Sequence, residues 1–366
     1  MNQTWTIIVI ISIWIISFVE PSGWALLLRL PEKFNEGFLI LSIIYFIRYP
    51  YRRQNISTSL FWGIIITFVV IPFVKSGSWQ GATYLVSFLV VYLVSQGTIT
   101  SHVIKITSIA LAALGLMTLF IYARGSLLSG WNDNAMSMIG LFSFLYYSIF
   151  LVLKKDSKKF WLWNIITLFY LQLLFSTDCR SGMLFSMIAV LALLFQHKVM
   201  KLVNKPHFII ILLNIPLIIA FLVIWISETP FFHELNMWSS TQLGKPIFNG
   251  RDTLWNYALD KLNDSSYLGT GEFIVNYHNS CIAALTVFGV LGYYFWIKYF
   301  KTNLFEIRHY LVDKIAFGSF FAFCLIYIQQ SVDLGFIEPQ PNLLPYLILG
   351  VGLGRVRYLK ENSVLN

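Results

Sequence analysis

The sequence predicts an all-α polytopic membrane protein with about twelve spanning helices, and three observations carry that prediction. Of its 366 residues 57% are hydrophobic and only 12% are charged, about half the charge that covers a soluble surface. The apolar residues gather in runs close to spanning length, about 17–25 residues. The basic residues between those runs concentrate in alternate connections. The low charge excludes a soluble enzyme, a secreted domain and a disordered chain. Three cysteines are too few for a disulfide framework.

Taken in order, the predicted spans cover residues 4–19, 34–49, 58–74, 80–96, 103–122, 135–153, 160–176, 182–196, 207–227, 281–298, 314–331 and 342–354. The first run lacks a basic leader and a small-residue cleavage site, so it is expected to be retained as a span. With the N-terminus inside, the cytoplasmic connections hold 18 of the 26 Lys and Arg and only four of the 17 acids: Asp156, Glu306, Asp313 and Glu361. The external side then holds 8 basic residues and 13 acids. A wrong span count would scramble this segregation. The net charge of +9 therefore faces anionic lipid headgroups, and no nucleic acid is expected as a partner. Both termini are expected on the cytoplasmic side. Without internal repeats or a linker, residues 1–366 read as one integral membrane domain.

One connection is long. Residues 228–280 form an external loop of 53 residues, and loops of that length are uncommon without a purpose. After Asn249-Gly250, the positions of Leu254, Ala258 and Leu262 predict an amphipathic helix over 251–262. It is expected to lie on the membrane surface or to cap the bundle. Asp252 sits in its first turn, where the helix dipole favours an anion. Leu268-Gly269-Thr270-Gly271 reads as a turn, and Tyr277-His278-Asn279-Ser280 closes the loop.

A second external feature is the turn Thr177-Asp178-Cys179-Arg180-Ser181-Gly182. The span that follows rises only about 22 Å at 1.5 Å per residue, against a hydrocarbon core of about 30 Å. If its far end reaches the cytoplasmic interface, Arg180 is recessed below the outer surface. An arginine near the bilayer centre costs at least about 2.5–3.5 kcal/mol and faces a cavity and a partner. Its fork fits phosphate oxygens bidentately. Taken alone, Arg180 reads equally well as a snorkelling arginine or a partner of Asp178. Arg251 alone reads better as a solvated charge at a helix start, and an isolated His278 better as structural. Cys179 and Cys281 both fall near the outer face and are read as free thiols. The sequence has no paired aspartates for a metal-bound nucleotide sugar, no phosphate-cradling glycine loop and no HExxH helix, so neither a cofactor nor a metal is expected.

The ordered set of Arg180, Gly250-Arg251-Asp252-Thr253-Leu254-Trp255, Leu268-Gly269-Thr270-Gly271, His278-Asn279 and Phe288-Gly289-Val290-Leu291-Gly292 resembles the O-antigen ligase and polysaccharide polymerase family of bacterial integral membrane proteins. Asn132-Asp133-Asn134-Ala135 at the sixth span is similar to that family as well. The turn departs from the family pattern at Cys179, where members often have a hydroxyl residue. The resemblance implies a GT-C-like fold in the bacterial cytoplasmic membrane and a metal-independent, inverting glycosyltransferase working on its outer side. The donor would be a glycan on undecaprenyl diphosphate, with a second glycan as acceptor and a chain-length regulator as a further partner. Arg180 and Arg251 would bind the donor diphosphate and His278 would act on the acceptor hydroxyl, with Asn279 and Asp252 supporting. Polymerisation of repeat units is the expected activity. Transfer of polymer to lipid A–core, as in a ligase, is the alternative, and a lipid-glycan flippase or transporter is the more distant one.

Overall fold

The computed structural model describes residues 2–19, 57–124, 133–158, 160–177, 179–244, 246–247, 250–273, 277–331 and 343–363. Among them all regular structure is helical and there is no strand. In chain order the helices are α1 (Gln3–Val19), α2 (Thr58–Ser76), α3 (Gln80–Ser95), α4 (Ser101–Ala123), α5 (Asp133–Lys154), α6 (Phe160–Phe175) and α7 (Arg180–Leu194). They continue with α8 (Gln196–Val203), α9 (Pro206–Ser227), α10 (Pro230–Leu243), α11 (Arg251–Asp264), α12 (Ser280–Arg308), α13 (Lys314–Gln329) and α14 (Leu344–Ser363). The predicted span 34–49 lies outside the described residues, and each of the other eleven falls on a helix.

Five stretches among the described residues are long and apolar enough to cross a membrane: Thr58–Ser76, Ser101–Ala123, Met136–Lys154, His207–Ser227 and Ser280–Arg308. A sixth qualifies if α7 and α8, bent by 98° at their junction, count as one. The chain is thus an all-helical polytopic membrane protein. α1, α3, α6 and α13 are apolar but shorter. α2 is regular only at its ends, because Ile66–Val70 forms a π-helical turn ahead of Pro72. α5 packs against α4, α7 and α13, and α14 packs against α3 and α13.

The bundle has two chemically different ends. At one, Arg355 reaches Asp313 at 2.7 Å and the Ile99 carbonyl at 3.1 Å, and Lys360 pairs with Glu306 at 2.8 Å. Lys314 pairs there with Asp156, and Arg308 donates to the Asn204 carbonyl at 2.6 Å. The turn at Thr98 is tied to Thr6 near the start of α1. Connections far apart in sequence therefore meet at this ionic end. At the other, Lys75 at the end of α2 donates to the Ser265 carbonyl at 2.8 Å, and Asn279 before α12 donates to the Ser331 carbonyl after α13 at 3.2 Å. α5 runs antiparallel to α13, since Gly318 packs on Ile149 and Lys314 on Asp156. Gly182 packs on Ser137, which places the start of α7 at this second end too.

Asp313 caps α13 by accepting from the Ile315 and Ala316 amides, both at 3.0 Å. Burial alone would raise its carboxyl, but the hydrogen bonds and charge of Arg355 and the two amides outweigh it and hold the pKa below the usual value. A depressed carboxylate stabilises the fold fully above its unfolded pKa, about 3.9, and that contribution fades as pH falls through the folded value. Thermal unfolding in detergent should therefore lose midpoint below about pH 4. Asp313→Asn keeps the cap but should start lower at neutral pH and show a flatter acid limb.

Candidate functional site

The site begins at the approach to α12. Asn279 is fully buried and uses both ends of its amide. Its Oδ1 accepts from the amides of Cys281 at 2.9 Å and Ile282 at 3.1 Å, which caps the helix. Its Nδ2 donates to the Pro216 carbonyl at 2.9 Å and the Ser331 carbonyl at 3.2 Å. Pro216 interrupts the ladder of α9, and carbonyls there accept from outside the helix. Leu213 takes the Tyr327 hydroxyl at 2.8 Å as Pro216 takes Asn279. Ser280 follows with its hydroxyl on Gln330 Oε1 at 2.9 Å and its amide on the Gln330 carbonyl at 3.2 Å. Asn279 is therefore a joint between three helices. Asn279→Ala removes a cap worth about 1 kcal/mol and strands buried carbonyls at about 1–3 kcal/mol. A large drop in unfolding midpoint is expected. Asn279→Asp keeps the cap but not the donors, and should rescue little of it.

His278 sits directly before this joint, half-buried, with a left-handed backbone at φ 50°. That region is uncommon for a residue with a side chain and costs about 1–2 kcal/mol. The residue before it is also pinned, because buried Trp255 of α11 donates its indole N–H to the Tyr277 carbonyl at 2.6 Å. The Tyr277 hydroxyl is pushed up to about 12, first by burial and then by Tyr257 and Glu272, so it stays protonated at neutral pH. Strain held in place from both sides is a feature of functional sites.

α11 itself caps the bundle. Trp255, Ala258 and Leu262 are buried, and the helix packs on α9 and α12. α10 carries exposed apolar side chains of the long connection at Phe231, Met237 and Trp238. No helix is predicted there.

The two glycine motifs prove to be partners. α12 breaks at Gly289, whose φ of 73° and ψ of −179° are not helical. The groups freed by the break are taken up by residues 267–271: the Thr270 amide donates to the Thr286 carbonyl at 2.8 Å, Gly271 to Val287 at 3.0 Å, and Val290 to the Tyr267 carbonyl at 3.0 Å. A Cβ on Gly269 would strike the Gly289 nitrogen and the Val287 carbonyl, and one on Gly289 would strike the Leu268 backbone. Below the junction Phe288 stacks on Phe68 at 3.9 Å, while Phe273 stacks on Tyr84 at 5.5 Å.

Arg180 is the first residue of α7 and exposed, and its guanidinium makes no hydrogen bond or ion pair to a described residue. Its neighbour Cys179 is buried and free, with Sγ 3.3 Å from the Ser181 hydroxyl. Cys281 is also free, at the other helix start, 3.4 Å from the Tyr327 hydroxyl. Arg251 is the first residue of α11, behind Gly250 at φ 78°, and Asp252 follows it, both half-buried. Asp178, Asn249 and Asn132 lie outside the described residues. Arg180, Arg251 and His278 thus stand at the starts of three helices at the same end of the bundle. Sequence reasoning missed Lys75 and Gln330 and named Trp255 only within a motif, yet all three hold that end together. Each looks in sequence like an ordinary helix-end or core residue. Among the described residues no three His, Cys, Asp or Glu side chains gather into a metal-binding group.

Compared with protein-family models, with curated proteins and with solved structures, the chain matches none.

Proposed function

We propose that this chain is a metal-independent, inverting membrane glycosyltransferase that polymerises undecaprenyl-diphosphate-linked repeat units at the outer side of a bacterial cytoplasmic membrane. The observation that supports the reading is that Arg180, Arg251 and His278 stand at three helix starts at one end of the bundle. Helix starts carry partial positive charge and favour phosphate. Two arginines beside them suit a diphosphate leaving group, whose negative charge grows as its bond to the anomeric carbon breaks. The acceptor hydroxyl attacks that carbon from the opposite face and gives its proton to His278, so the configuration inverts and undecaprenyl diphosphate leaves. α11, folded over the start of α12, shields the donor from water. In this reading the ionic end faces the cytoplasm with both termini, and α1, α3, α6, α7, α13, the apolar part of α14 and the predicted span 34–49 join the five long stretches to make twelve spans.

Transporters bind substrate at broken helices near the midplane, and α12 is broken. The break is filled by the chain's own 267–271 backbone, which favours the enzyme reading. The test is a surface-polysaccharide gel with a lipid-linked glycan extract from a deletion strain. Single repeat units on the final acceptor are expected. Full-length polymer accumulating on undecaprenyl diphosphate would make the chain a ligase, and unchanged polymer would overturn both.

A further inference from the structure

We propose that α8 is a built-in binding element for anionic phospholipid, lying flat in the headgroup layer at the ionic end of the bundle. The inference rests on the membrane reading of the chain and is independent of its chemistry. α7 ends at Leu194, and α8 leaves it at 98°, so a helix that crosses the bilayer is followed by one that runs along its surface. The bend is held at both sides. Lys155 donates to the Leu193 carbonyl at the end of α7 at 3.0 Å, and Arg308 donates to the Asn204 carbonyl after α8 at 2.6 Å and 3.0 Å. These cations satisfy carbonyls that helix ends leave open.

The two faces of α8 differ. Gln196, Val199, Met200 and Val203 recur at helical spacing and turn toward the bundle, with Gln196 and Val203 buried. Lys198 and Lys201 lie on the exposed face and Lys205 in the turn that follows. Phe195 and Leu202 flank them at 54% and 50% exposure, and Lys198 stands 5.5 Å over the Phe195 ring. The ammonium groups of Lys201 and Lys205 make no hydrogen bond or ion pair to a described residue. The acids in the described connections of this end are already engaged: Asp156 with Lys314, Asp313 with Arg355, Glu306 with Lys360 and Glu361 with Arg357. Among the described residues of this end, no acid is left to supply the counter-charge for α8.

The neighbouring surface identifies its source. Leu184, Met187, Leu191 and Leu194 form an exposed apolar stripe down α7, which suits hydrocarbon and leads straight into Phe195. Lysines with exposed Phe and Leu at the end of such a stripe match an interfacial helix, apolar side chains in the acyl boundary and ammonium groups on lipid phosphates. A soluble polyanion would match the lysines but leave Phe195 and Leu202 in water.

The test uses the purified, delipidated full-length protein in detergent. Native mass spectrometry and thermal unfolding follow titration with dioleoyl phosphatidylglycerol or dioleoyl phosphatidylcholine. Phosphatidylglycerol should bind and raise the midpoint, with phosphatidylcholine doing little. At about fivefold per lysine near an anionic surface, K198Q/K201Q/K205Q should bind phosphatidylglycerol about 100-fold more weakly, with its lipid-free midpoint unchanged. K298Q/K301Q, which removes two other cations of this end, should lose less than the roughly 25-fold that the same arithmetic gives two lysines held at the anionic surface. Equal losses in the two variants, or a triple variant that binds like wild type, would overturn the proposal. A nitroxide on L202C gives a second reading, since the native cysteines are buried. In phosphatidylglycerol nanodiscs it should be relaxed by oxygen more than by a water-soluble nickel chelate, and the reverse would also overturn the assignment.

Discussion

His278→Ala should lower polymer formation by about 10²–10⁴-fold, the contribution of one positioned general base, while leaving membrane expression and thermal unfolding near wild type. The backbone at this position needs φ near 50°, so alanine confounds loss of the imidazole with loss of a residue that accepts the left-handed region. His278→Asn separates the two. Asparagine enters that region readily but cannot take a proton at neutral pH. Both variants should be inactive with normal abundance. Activity in His278→Asn, read by conversion of lipid-linked repeat units in purified membranes, would remove His278 from the chemistry and leave it a turn residue. A transporter or scaffold would tolerate both changes.

Gly289→Ala should be the most damaging single substitution for folding. The new methyl meets the Leu268 backbone, and φ is 73°. A left-handed alanine costs about 1–2 kcal/mol and overpacking a filled site about 1–3 kcal/mol more. Backbone cannot swing away as a side chain can. Gly269→Ala attacks the same contact from the other side, so the pair should be strongly non-additive. The double variant should lie close to the worse single in thermal unfolding and in proteolysis of the 228–280 region. Simple additivity would mean that the two motifs do not depend on each other.

Much of the helical plan was legible because partition into a membrane is a local property. Any run of about 20 apolar residues is decided by its own composition, and eleven predicted spans fall on helices. Helix α11 was legible for the related reason that its period of 3.6 is written in Leu254, Ala258 and Leu262. α10 was not, since Phe232 is buried while Phe231, Leu235, Met237 and Trp238 remain exposed, and one buried apolar position gives no inward stripe. The break in α12 escaped as well. A glycine within an apolar run is ordinary in membrane helices, and nothing within 281–298 shows that the chain opens at Gly289. The cause lies 20 residues upstream at Gly269, whose amide neighbours fill the gap.

The candidate site divides the same way. Residue chemistry alone raised only Arg180, whose fixed cation fits phosphate; Arg251 and His278 were named through the ordered motifs and the family resemblance they carry. Asn279 was named only as support, and its sequence neighbours gave no sign that one buried amide joins α9, α12 and α13. Composition and charge by themselves determined that this is a helical membrane protein with two unlike ends, since burial in lipid and segregation of charge act on each segment separately. Tertiary structure alone decided where α12 breaks, how His278 is held and which residues tie the long connection to the bundle. Those depend on hydrogen bonds between residues 16 to 190 positions apart, and no local pattern encodes the partner.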